Sequence, residues 1–172
     1  MFGLIDRFIQ RWSKTEAPRP AEYSPAPGTG IRYAPELIAD LKREHGDFFA
    51  LHREVMAAYA ASQFDAIPAL LKEFEALLNG HLITERVRLY AYMDAYFSQD
   101  PRTREMLRDY RSEMDRIGDS VVKLLRRYRD IDRAAWPHEG FVADFEELGQ
   151  VLTERMRREE TTLYPLYMPI PA

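Results

Sequence analysis

The chain has 172 residues, 46% hydrophobic and 30% charged, with a net charge of −4 and no cysteine. That balance fits one globular domain with an appendage. It excludes a general nucleic-acid footprint, disulfides and thiolate metal sites, and no apolar run reaches the ~18 residues of a membrane span. Residues 1–14 come first in chain order: Phe2, Ile5, Phe8, Ile9 and Trp12 share one face of an amphipathic helix pattern, while Asp6, Arg7 and Arg11 interrupt the apolar run and exclude a signal peptide. A cytoplasmic location is expected. Residues 15–34 carry Pro18, Pro20, Pro25, Pro27, Gly28 and Gly30 and read as an extended linker. The first segment therefore packs back on the main domain or on a copy of itself, or else serves a protein partner or a membrane surface.

From Pro35 the helical period dominates, and residues 35–168 read as one bundle with a short tail at 169–172. About 35–61 places Ile38, Leu41, His45, Phe48, His52, Val55 and Tyr59 three and four residues apart. About 64–97 does the same with Ile67, Leu70, Phe74, Leu77, His81, Glu85, Leu89 and Tyr92. A third segment begins near Pro101 and uses Leu107, Tyr110, Met114, Ile117, Val121 and Leu124. The fourth follows Trp136–Gly140 with Phe141, Phe145, Leu148, Leu152, Arg155 and Glu159, and ends near Pro165. Four long amphipathic segments with short connections predict an all-α, antiparallel up-down-up-down four-helix bundle. The basic run Arg126–Arg129 has interleaved acids and reads as a solvated face.

Polarity at core positions is the informative anomaly. His45, His52, His81, Glu85, Arg155 and Glu159 all fall on the apolar seams. A buried ionised group without a partner is heavily penalised, so these groups must meet one another or a metal. Counting outward from the connections sets His45 level with His81, and Glu85 level with Met114 and Glu159. Four residues rise ~6 Å, so the two levels adjoin. Two imidazoles and two carboxylates suit iron, manganese or zinc. The second and fourth segments also repeat one another: at a common offset Arg155 falls on His81, Glu159 on Glu85, Leu163 on Leu89 and Tyr164 on Tyr90. His52 reads as a core histidine bonded to a neighbour, Met114 as packing, and the two tyrosines as packing near the helix ends. No nucleophile–base pair, phosphate-binding glycine loop or dinucleotide fingerprint is present.

At these residues the sequence resembles the hemerythrin-like (HHE cation-binding) family. Arg-Glu-His-Gly-Asp-Phe-Phe supplies His45, His-Leu-Ile-Thr-Glu supplies His81 and Glu85, and Arg-Glu-Glu-Thr-Thr-Leu-Tyr-Pro supplies Glu159, Glu160 and the Leu-Tyr-Pro ending. The resemblance implies a hemerythrin-like bundle, with metal held by His45, His81, Glu85 and Glu159, and iron as the expected ion. Two positions depart from the family pattern: Met114 stands where the third-helix histidine is expected, and Arg155 where the fourth-helix histidine is. A guanidinium has no lone pair to offer. One retained half-site and one ion rather than two are therefore expected, in a protein that senses or handles iron, oxygen or an oxidant rather than turning over a substrate. The alternative is a metal-free interaction or regulatory module in which Arg155 replaces the metal charge by bonding Glu85 and Glu159 in bidentate fashion.

Overall fold

The computed structural model describes residues 23–171; the amphipathic segment 1–14 and the first part of the 15–34 segment lie outside the described residues. Helix α1 spans Leu37–Ala60. Helix α2 runs Ile67–Thr84, continues through a π-helical stretch Glu85–Tyr90 and finishes as Ala91–Tyr96. Helix α3 is Pro101–Arg129. Helix α4 runs Phe141–Arg158, enters a second π-helical stretch Glu159–Leu163 and closes with the 3-10 turn Tyr164–Leu166. The expected all-α four-helix bundle is what the chain forms, and no strand occurs among the described residues. Two isolated bridges, Tyr23 with Pro171 and Pro25 with Arg32, are the remaining extended pairings there.

Local chemistry explains the boundaries. Asp100 caps α3 by accepting from the N–H groups of Arg102 and Thr103 at 3.1 and 3.2 Å, and Pro101 occupies the first turn, where its missing N–H costs nothing. Gly140 precedes α4 at φ 87°, a left-handed conformation that side chains with a Cβ disfavour. Helix α2 packs between α1 and α3, α4 returns beside α1, and of the neighbouring pairs α3 and α4 approach each other least closely. Consecutive helices joined by short connections run antiparallel, as expected.

The core falls into two apolar clusters. The larger gathers Phe48, Leu78, Met114, Leu152 and Met156 with the aromatics of the far end. The smaller joins Leu41, Leu89, Leu107, Leu163 and Tyr167. Burying each such side chain contributes about 1.5–3 kcal/mol. Along every helix that supplies a polar seam residue, that residue lies between the two clusters: His45 between Leu41 and Phe48, His81 and Glu85 between Leu78 and Leu89, Arg155 and Glu159 between Leu152 and Leu163. The polar groups thus form one layer sealed above and below. Residues 23–34 help close the upper end. Ala26 is buried there, Tyr33 stacks on Tyr167 with ring centroids 4.7 Å apart, and the Ala34 N–H donates to the Tyr167 hydroxyl at 2.8 Å.

Candidate metal centre

All four expected ligands reach this layer and are almost fully buried: His45 and His81 are 2% exposed, Glu85 and Glu159 1%. One nitrogen from each of His45 and His81 and one oxygen of Glu159 lie within 4.8 Å of one another. The ring centroids of the histidines are 5.1 Å apart, as the level counting requires. Glu85 joins from α2, its Oε1 3.8 Å from His81 Nε2. Two atoms bonded at ~2.1 Å to one ion lie at most about 4.2 Å apart, so His45, His81 and Glu159 stand near the spacing one ion requires, with Glu85 beside that group.

The outer ring nitrogens fix which face each imidazole turns inward. His45 Nδ1 donates to Glu160 at 2.8 Å, and His81 Nδ1 donates to Glu44 at 2.8 Å. A carboxylate only accepts, so both Nδ1 atoms carry protons. In each ring when neutral, Nε2 then turns its lone pair inward, the orientation that outer carboxylates impose on metal-binding histidines. His45 Nε2 lies 3.3 Å from Glu159 Oε2. The Tyr164 hydroxyl donates to Glu85 Oε1 at 3.1 Å and also lies 3.1 Å from His45 Nε2. It has one proton for two acceptors. Glu85 Oε2 is buried with no hydrogen-bond partner among the described residues. That buried oxygen lacks the partner that burial demands, a condition that a proton or a cation relieves.

Electrostatics agree. Burial, then the charge of Glu159, pushes the Glu85 carboxyl up from its ordinary value of 4.5 to about 7. Burial alone would lower His81, but its bond to Glu44 and the charges of Glu85, Glu159 and Glu44 raise it. Glu159 behaves oppositely: burial works against its charge, but the bond to His45 and the charges of Arg155 and both imidazoles hold it low. Burial and the charges of Glu85 and Glu159 push the Tyr164 phenol far up, so it stays protonated and donates.

Arg155 occupies the side where the second half-site is expected. Its Nε donates to Glu159 Oε1 at 2.5 Å, Nη1 to Glu113 at 3.0 Å and Nη2 to the Tyr90 hydroxyl at 3.4 Å. Its guanidinium carbon stands 4.9 Å over the Tyr110 ring. The expected bidentate grip on both carboxylates is not what forms. Arg155 holds Glu159, but its other donors turn to Glu113 and Tyr90 instead of Glu85. The reason is reach: Glu159 is one turn along the same helix, while Glu85 is held by Tyr164 on the imidazole side. Met114 packs in the apolar cluster.

The tyrosines do more than the sequence suggested. Tyr90 meets Arg155 and Tyr164 meets Glu85, so each crosses to the other half of the internal repeat. Glu44 and Glu113 are contributions that sequence reading missed. Both stand next to a seam residue, and both keep helical spacing with apolar neighbours: Leu41, Glu44 and Phe48, and Tyr110, Glu113 and Ile117. His52 behaves as expected, with Nε2 2.7 Å from the Phe145 carbonyl. The π-helical stretches begin at Glu85 and Glu159, equivalent positions of the repeat, so both carboxylates sit where the helix widens.

A buried layer of histidines and carboxylates across an antiparallel four-helix bundle defines a cation-binding helical domain. The family model described as the hemerythrin HHE cation binding domain matches residues 36–167, and the chain belongs to that family. No curated protein and no solved structure shows significant similarity to it.

Proposed function

We propose that the bundle binds one divalent transition-metal ion, with iron the first candidate, and that it senses or handles iron, oxygen or a small oxidant rather than turning over a substrate. One observation carries this reading: one nitrogen from each of His45 and His81 converges with an oxygen of Glu159 inside the bundle, with the Glu85 carboxyl beside them. When bound, the ion supplies a redox-active or Lewis-acidic centre.

The chain's own residues set the conditions for it. His45 and His81 are terminal nitrogen ligands, and Glu159 Oε2 and Glu85 are the oxygen ligands. Glu160 and Glu44 hold the imidazoles in the metal-binding tautomer. Tyr164 keeps a proton between His45 Nε2 and Glu85 Oε1. The apolar clusters on either side exclude bulk water, which strengthens each of these interactions. Arg155, held by Glu159, Glu113, Tyr90 and Tyr110, limits the centre to one ion, because its charge already stands on the far side.

The Arg155–Glu159 contact also favours a second reading, a metal-free interaction module in which the guanidinium stands in for the ion. It neutralises Glu159 but makes no hydrogen bond to Glu85, and the orphaned Glu85 Oε2 weighs toward the ion. Metal analysis of full-length protein purified without chelator separates the two. Wild type should carry close to one equivalent and His81→Ala almost none. A wild type that carries none and takes up neither added Fe²⁺ nor Zn²⁺ rejects the ion reading.

A further inference from the structure

Helices α3 and α4 diverge in their middle and lower parts and leave an open groove of about 650 Å³. Its floor is apolar, made by Ile117, Val121 and Leu124 of α3 and by Leu148 and Val151 of α4. Val151 is 40% exposed, unusual for a residue continuous with the core. The rim carries Glu113, Asp144 and Glu147 against Arg116 and Arg127. Arg127 is engaged with Asp144, Arg116 donates to Ser112, and Glu147 forms no ion pair among the described residues. Glu113 is held by Arg155 and Arg158, so the rim is close to neutral, and an apolar trough of this kind calls for an amphipathic element.

We propose that the occupant is the chain's own N-terminal segment, residues 2–14, docked as a helix along the α3–α4 groove. Three features select it. The first is length. The groove runs from Glu113 to Arg127, about 21 Å at 1.5 Å per residue, and thirteen helical residues span about 20 Å. The second is pattern, with Glu147, among the described residues, as the one rim acid open to a basic flank. Phe2, Ile5, Phe8, Ile9 and Trp12 present one apolar face, flanked by Arg7, Arg11 and Lys14 against the single acid Asp6. The third is the tether. Tyr23 pairs with Pro171, just beyond the end of α4, so the segment is anchored at that helix. Going down α4 from Leu163 to Val151, where the groove begins, covers about 18 Å. The eight residues 15–22 can span at most about 26–29 Å. The local concentration set by so short a tether favours this occupant over any free partner.

The absence of cysteine allows a clean test in the full chain. Arg11→Cys combined with Val151→Cys should cross-link with a short bismaleimide within one chain. Arg11→Cys with Val87→Cys, an exposed position on α2, should not. The emission of Trp12, taken as the difference between wild type and Trp12→Phe, should lie at short wavelength. It should move to long wavelength in Val151→Lys, which places a like charge in the groove without disturbing a buried position. Equal cross-linking to both sites, or links only between chains, overturns the proposal, the latter in favour of a second copy. Trp12 emission that is water-like in wild type, or that shifts only when anionic vesicles are added, overturns it as well.

Discussion

Replacing Glu85 by Gln removes one ionisable proton from the buried layer and keeps the shape of the side chain. The consequence follows from the raised affinity of Glu85 for that proton. In the folded chain, burial and Glu159 carry the carboxyl from 4.5 to about 7. The folded state therefore holds a proton that the unfolded state releases. The associated stability is fully present below the unfolded value near 4.5 and is lost as pH rises through about 7. At about 1.4 kcal/mol for each factor of ten, that interval is worth about 3 kcal/mol. His81, also raised, acts with the same sign, and because the Glu85 charge is one cause of its rise, the Gln replacement reduces that contribution as well. Urea unfolding in the presence of a chelator, at pH 4.5 and at about pH 8, measures it. Glu85→Gln should gain about 3 kcal/mol on the wild type between the two conditions. With excess Zn²⁺ at the higher pH the order should reverse, because an ion recruits the ionised carboxylate and gains nothing from the amide. A wild-type-minus-Gln difference that stays constant with pH refutes the picture of Glu85 as an uncompensated buried carboxyl.

The remaining expectations concern the groups around it. Glu44→Gln should leave the fold intact but weaken ion binding about 10–100-fold, read by competition with a chromophoric chelator, because His81 loses the carboxylate that sets its tautomer. Arg155→Met should destabilise the chelated protein by about 3–5 kcal/mol in urea unfolding, since Glu159 is left buried without its ion pair. Added Zn²⁺ should restore most of that loss. The double replacement Met114→His with Arg155→His should raise the metal content from one equivalent toward two, measured by elemental analysis. A content that stays at one would show that more than the missing imidazoles separates this centre from a two-ion site.

The sequence alone determined the number of helices, their antiparallel order and the identity of the central layer. These follow from local rules. A period of 3.6 residues marks the buried stripe, Pro35, Pro101 and Trp136–Gly140 punctuate it, and a charged residue on such a stripe stands out because burial without a partner is so costly. Equal depth for His45 and His81 needed only the fixed rise per residue and the position of a connection. The partners were decided by tertiary structure. Which carboxylate Arg155 holds, which acids orient the histidines and where the Tyr164 proton goes all depend on rotation about the helix axes. The π-helical widening at Glu85 and Glu159 changes that rotation in a way no hydrophobic period records. The divergence of α3 from α4 that opens the groove is of the same kind, because it arises from how whole helices pack and not from any single stretch of sequence.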